Sequence, residues 1–341
     1  LRLRARAGAA VLAAALALSA CSARPALPVH TVGGGTGAAG PQIRIRATPV
    51  PLSSGSPRQD RIGAFVYAGG LQLTSTDTSR LHGLSDLKIW PDGRLLAVSD
   101  EGDLLEARLA LDRRGRLLGL TQAALSPLPG EDGRPLLARG KTEADSEGIA
   151  ELADGARLVS LECDDRILLY PVGGGLPRRV PSPDTVFPNN LGMEALAADP
   201  AAGADAYVVG GEASGQTWLC HLSSGCTAST VVALPDEAGL TAVAILPGGR
   251  RAYLLRAFSL LKGVRVTLRI VNADGTTLDE MRLAAPLTAD NFEGLAAIPQ
   301  SEGPRADGSI RFYLISDDNF SKLQRTLLLA FDWRPQPGRR P

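Results

Sequence analysis

At 341 residues, with 44% hydrophobic side chains, the chain is long enough for one large domain behind a short leader. Its 36 basic and 36 acidic residues balance, which argues against the basic surface that nucleic-acid binding requires. Past residue 20 no apolar run reaches the roughly 20 residues that a membrane-spanning helix needs.

The first twenty residues read as a secretion signal. Arg2, Arg4 and Arg6 give a positive start, and Ala9 to Leu18 form an apolar stretch too short to remain as a spanning helix. Leu18-Ser19-Ala20-Cys21 then resembles a lipobox, which implies cleavage before Cys21 and diacylation of that cysteine. Ser22 in place of Asp favours the periplasmic face of an outer membrane, so the expected location is the cell envelope. Loss of the leader leaves 33 basic against 36 acidic residues, a net charge of −3.

Residues 21–60 are rich in Gly, Pro, Ser and Ala, with Gly33-Gly34-Gly35-Thr36-Gly37 at their centre. Such composition is expected to stay a flexible linker, because it buries too little apolar surface to offset its ordering entropy. As a coil it would span about 30–40 Å. Residues 61–333 form the expected domain, and 334–341 a disordered tail.

Within the domain one phrase recurs: an acidic or small residue, an alternating strand, a turn, a second strand and an acidic residue. It opens at Ser85, Glu147, Glu194, Thr241 and Glu293, and closes at Asp100, Glu162, Glu212, Arg256 and Asp317. The spacings of 62, 47, 47 and 52 residues, with Asp92-Gly93, Asp154-Gly155 and Gly248-Gly249 as turns, fit β-propeller blades of four strands. The fold expected is all-β, a propeller of five or six blades, the longest spacing leaving room for a degenerate sixth. Phe65-Val66-Tyr67 is expected to pair beside Thr326 to Trp333 and close the ring, which removes exposed sheet edges.

Propeller geometry brings equivalent positions to one central channel. Seven carboxylates and Arg256 therefore converge, and crowded carboxylates raise one another's pKa unless a cation sits among them. A hard divalent ion, Ca²⁺ first, suits Glu147, Glu162, Glu194, Glu212, Glu293 and Asp317 as oxygen ligands. Asp318 and Asn319 add donors on the adjoining loop. Arg256 either neutralises the cluster or grips an anionic substrate. The competing reading is that these carboxylates cap strand ends and accept hydrogen bonds from neighbouring blades.

Among the cysteines, Cys220 and Cys226 flank a tight turn at a spacing a disulfide could close in an exported protein. Cys163 is left over and is expected as a buried free thiol. His82 could face the channel, though packing is the expected role. No Gly-x-Ser-x-Gly elbow, zinc spacing or usable phosphate loop is present.

Asp290-Asn291-Phe292-Glu293-Gly294-Leu295-Ala296, then Arg311 to Phe320 and Gln324 to Phe331, with Asp145-Ser146-Glu147-Gly148-Ile149 as an earlier echo, resemble the phytase-like proteins. That family is also described by an esterase-like activity of phytase, and the resemblance covers roughly residues 61–333. It implies a propeller and hydrolysis of phosphate or other esters, with Glu147, Glu293 and Arg256 as catalytic candidates. Alkaline propeller phytases set Ca²⁺ ions among carboxylates and grip phosphate with basic residues. Here the basic half is thin: Arg256, with Lys141 and Lys262 on nearby loops. The expected substrate is a small anion or ester and the expected state is monomeric. The alternative is a non-catalytic, ligand-binding or scaffolding envelope propeller.

Overall fold

The computed structural model describes residues 41–334, apart from 57, 236 and 301–306. The expected leader, Cys21 as the expected lipidation site, the first half of the expected linker and nearly all of the expected tail therefore lie outside the described residues.

Three strands precede the repeats: β1 (Arg46–Pro49), β2 (Arg61–Ile62) and β3 (Phe65–Thr74). The first blade holds β4 (Leu84–Ile89), β5 (Arg94–Ser99), β6 (Asp103–Leu111) and β7 (Leu117–Pro127). A one-turn helix, α1 (Lys141–Ala144), leads into the second: β8 (Ser146–Glu151), β9 (Arg157–Leu161), β10 (Arg166–Tyr170) and β11 (Arg178–Val180). The third comprises β12 (Ala195–Ala198), β13 (Ala206–Gly210), β14 (Gln216–His221) and β15 (Gly225–Val231). The fourth comprises β16 (Ala238–Ile245), β17 (Arg251–Ser259), β18 (Gly263–Val271) and β19 (Thr277–Ala284). Finally come β20 (Phe292–Pro299), β21 (Ile310–Ser316) and β22 (Leu327–Trp333).

Each of the first four blades is an antiparallel meander in chain order. The fifth runs β20-β21-β22-β3-β1, so the two chain ends share one sheet. β22 pairs β3 from Leu327↔Gln72 to Trp333↔Phe65. Phe65 lies 6.4 Å from the Trp333 ring and 6.3 Å from Phe312, and all three are fully buried, which seals the closure with aromatic area. The inner strands β4, β8, β12, β16 and β20 each pack against the next, and β20 returns to β4. The propeller has five blades.

Two expectations need correction. The long first spacing hides no sixth blade: residues 128–145 form a loop with a short 3₁₀ turn at Leu136–Arg139 and then α1. Nor are residues 41–60 a free linker. β1 is the fifth strand of the closing blade, and Ile43, Ile45 and Ala47 pack on the first hydrophobic cluster. Leu52 is 1% exposed, and Thr288 donates its N–H to Leu52 O at 2.7 Å. The physical signal was the period-two run Ile43, Ile45, Ala47, which Gly- and Pro-rich neighbours masked.

Central strands are buried on both faces. Every residue of β21 is buried, whereas β15 at a blade's outer edge is mostly exposed. Cys220 and Cys226 pair across the β14–β15 ladder and are joined by a disulfide. Cys163 is half-buried rather than buried and is not a free thiol.

Candidate functional site

Four of the five phrase-opening residues stand at a break in strand register. The β4–β5 ladder slips at Ser85, β8–β9 at Glu147 and Gly148, β16–β17 at Thr241 and β20–β21 at Glu293. A bulge adds a residue and re-aims its side chain, here toward the channel in blades one, two and five. Glu194 achieves the same by preceding β12, whose pairing starts at Ala195. Asp100, Glu162, Glu212 and Asp317 follow the second strands and Arg256 stands within β17, and all five reach the same cavity. Glycine permits the approach: a Cβ on Gly148 would lie 2.8 Å from Glu194 O, and one on Gly294 would lie 2.7 Å from Asp86 Cα.

The result is a cavity of about 940 Å³ at the channel mouth. Ser85, Asp100, Glu147, Glu162, Glu194, Glu212, Arg256, Glu293 and Asp317 all line it. Thr241 does not. Its bulge turns the hydroxyl back to its own blade, where it donates to Leu254 O at 3.3 Å.

Arg256 sits among acids from two other blades. Its Nη2 donates to Glu212 Oε1 at 2.9 Å, and its Nη1 to Asn291 Oδ1 at 2.7 Å and to Glu293 Oε1. Glu194 Oε1 stands 3.8 Å away. Asn291 also donates from Nδ2 to Glu293 Oε1 at 2.8 Å, so Glu293 is held from two sides. About a fifth of the Arg256 side chain is exposed. Glu293, Glu194 and Glu212 together hold its pKa above the usual guanidinium value despite burial.

α1 and the residue that ends it supply two side chains outside the repeat. Lys141 donates from Nζ to Asp100 O at 2.9 Å and to Asp145 Oδ1, and lies 3.1 Å from Asp100 Oδ2. Asp145 is 1% exposed, and hydrogen-bonds Glu147. Eight carboxyl groups, Asp100, Asp145, Glu147, Glu162, Glu194, Glu212, Glu293 and Asp317, thus gather around Lys141 and Arg256, and Glu237, Asp290 and Arg325 line the same cavity.

That imbalance shows in the titration. Burial, then neighbouring carboxylates, pushes Glu147, Glu194 and Asp317 well above the carboxylate range. Asp100 moves the same way, chiefly from burial, against the pull of Lys141. Burial raises Glu162 and Glu293 to about 7. Among the described residues two buried carboxylate oxygens of the site have no hydrogen-bond partner, Glu194 Oε2 and Asp100 Oδ1, while Asp100 Oδ2 has the Lys141 ion pair. Glu162, Glu194 and Glu212 each offer an oxygen within 4.8 Å of the others. Two ligands on one Ca²⁺ can be no farther apart than twice its metal–oxygen distance, about 4.8 Å, so this trio fits a hard cation. Asp145, Glu162 and Cys163 also come close, but Cys163 is not a free thiol and offers no thiolate.

Other candidates fall elsewhere. Asp318 turns away from the cavity, accepting from Gly83 N at 3.2 Å and Thr326 Oγ1 at 2.9 Å, while Asn319 does line it. Lys262 is exposed at the tip of the β17–β18 hairpin. His82 packs edge-on against Phe320 at 4.0 Å. The strand-capping role belongs to Asp86, whose oxygens accept from Ile149 N at 3.0 Å and Leu295 N at 3.2 Å in the two flanking blades. Glu162 shares it in part, accepting from Gly192 N at 2.7 Å.

The family model for phytase-like proteins, described as esterase-like activity of phytase, matches residues 79–320. This chain belongs to the phytase-like family. The matched span takes in every channel carboxylate named above. No curated protein matches the sequence. Among solved structures, a putative gluconolactonase is similar at 15% identity, over 89% of this chain and 93% of that one, with a TM-score of 0.44. Virginiamycin B lyase from Staphylococcus aureus is similar at 10% identity, over 85% and 100%, with a TM-score of 0.43.

Proposed function

We propose that this phytase-like propeller is a lipid-anchored protein of the cell envelope that hydrolyses phosphate or other esters at a divalent-cation site in its channel mouth. The anchor is supported by the lipobox-like Leu18 to Cys21, and the location by Ser22. The observation that carries the site is the trio Glu162, Glu194 and Glu212 with Glu194 Oε2 unpartnered. Those three residues would hold the ion, with Ca²⁺ the first choice for an all-oxygen set. A bound cation supplies Lewis acidity, polarising the ester oxygen and acidifying a water.

The chain's own residues do the rest. Glu147 hydrogen-bonds Asp145, and burial with its acidic neighbours favours its protonated form, the form that would protonate the leaving oxygen. Glu293, near 7 and fixed by Asn291 and Arg256, takes the proton of the attacking water. One water is consumed, the bond from the acyl carbon or phosphorus to the leaving oxygen breaks, and an acid and an alcohol depart. Arg256 positions Glu212 and Glu293 and keeps them apart.

The test is hydrolysis of p-nitrophenyl phosphate and p-nitrophenyl acetate by the purified chain, with Ca²⁺ and with chelator, beside Glu194→Gln and Glu293→Gln. Turnover that needs the metal and falls at least about 100-fold in either variant is expected. Equal background throughout would sink the hydrolase. A Ca²⁺-dependent rise in unfolding midpoint without turnover would leave a non-catalytic ligand-binding propeller.

A further inference from the structure

The cavity has two chemically different halves, and the proposed reaction uses only its floor. Phe258 and Val264 are direct cross-strand partners next to the turn of the β17–β18 hairpin, and both line the cavity. Leu323, on the loop after β21, lines it too and is 82% exposed, and Leu191 adds a further apolar side chain. A leucine so exposed, lining the same cavity as half-buried Phe258 and Val264, offers apolar surface that gains by being covered.

The floor is hostile to a polyanion. Both terminal nitrogens of Arg256 are engaged by Glu212, Glu293 and Asn291, and Lys141 by Asp100 and Asp145. Arg325 also lines the cavity, its Nε on Asp290 Oδ2 at 3.1 Å, but the carboxyl groups outnumber these cations even with one divalent ion bound, so a polyanion meets net repulsion. An uncharged ester meets no such repulsion, and about 940 Å³ accommodates a ligand of drug-like size.

We propose that Phe258, Val264 and Leu323 form a subsite for an alkyl or acyl chain, and that the substrate is an uncharged aliphatic ester rather than a phosphorylated polyol. The substrate assignment rests on the ester-hydrolase reading, whereas the subsite does not. Two measurements separate them. The first is binding to the full chain, with Ca²⁺ and with chelator, by calorimetry, of N-octylacetamide, which lacks an ester, and of myo-inositol hexakisphosphate. The octyl probe is expected to bind and the polyphosphate not. Leu323→Ser and Phe258→Ser are each expected to weaken the octyl probe about ten-fold. Because Leu323 is mostly exposed, its variant keeps the fold, which circular dichroism checks. The second is kcat/KM for p-nitrophenyl octanoate against the acetate, expected to favour octanoate about ten-fold and to approach parity in the variants.

Polyphosphate binding as tight as the octyl probe would overturn the substrate assignment, and variants that hold the probe like the wild type would overturn the subsite. Probe binding without hydrolysis of either ester removes the hydrolase and leaves the subsite. Hydrolysis of both esters at parity by the wild type removes the subsite and leaves the hydrolase.

Discussion

Arg256 Nη2 meets Glu212 Oε1 at 2.9 Å across the boundary between the third and fourth blades. The pair exists because the residue opposite Arg256 in the β16–β17 ladder is Gly239. Blade four thus contributes a cation where its neighbours contribute acids, and the bulge that swings Ser85 and Glu293 inward leaves Thr241 facing its own blade.

Replacing Arg256 with Met therefore strands three buried carboxylates. Breaking one side of a buried ion-pair set costs about 3–5 kcal/mol, so a comparable loss in urea-unfolding free energy is expected at pH 8. The loss should shrink at pH 5, where Glu293 and Glu194, already raised, take up protons instead. Equal loss at both pH values would mean that Arg256 acts by packing.

Asp86 gives a pH dependence with a definite sign. Burial raises its carboxyl to about 7 in the folded chain, against an ordinary value of 3.8. The folded state therefore holds the proton between those values while the unfolded state has lost it. Stability is full below about 4, declines as pH rises toward 7, and then levels off, a change on the order of 4 kcal/mol for this one group. Asp86→Asn should flatten that part of the curve of unfolding free energy against pH. An unchanged slope in the variant would place the dependence in the channel carboxylates alone.

Much of this site was legible before folding because a propeller converts sequence period into spatial convergence. Glu147, Glu194 and Glu293 recur at one phrase position, and the closing acids follow from strand length. Lys141 and Asp145 escaped that logic, since α1 lies in an insertion between blades and has no counterpart elsewhere in the repeat. Asn291 stood in the family-like motif without a role, and only the arrival of Arg256 from another blade supplies one. Thr241 shows the limit from the other side: its phrase position was right, but the direction of a bulged side chain depends on its cross-strand partner, which spacing does not encode.

The segment before the repeats offers a stability test. Leu52 is 1% exposed and packs in the cluster that contains Phe65, Leu254 and Trp333. Leu52→Ala removes buried methyl groups and leaves a cavity, at a cost of about 2–5 kcal/mol. Thermal unfolding of the variant should show the loss as a single shifted transition, because the segment belongs to the closing blade. A wild-type midpoint would return residues 41–60 to the linker.

Gly239 links the fold to the cation site and so allows the sharpest perturbation. A Cβ there would lie 2.5 Å from both Glu212 Cγ and Glu212 Oε1, closer than real Cβ contacts allow. In Gly239→Ala the Glu212 side chain must swing away from Arg256, or the β16 backbone must shift. Either movement pulls one carboxylate out of the trio with Glu162 and Glu194. The affinity for Ca²⁺ should then fall about ten-fold or more, while global stability drops by about 1–3 kcal/mol from the overpacking. Calorimetry of Ca²⁺ binding near pH 6.5 reads both the affinity and the protons released as Glu162 ionises. Proton release should fall in the variant if Glu162 no longer shares an ion with Glu212. If Ca²⁺ binds the variant as tightly as the wild type, Glu212 is not a ligand, and its role reduces to holding Arg256.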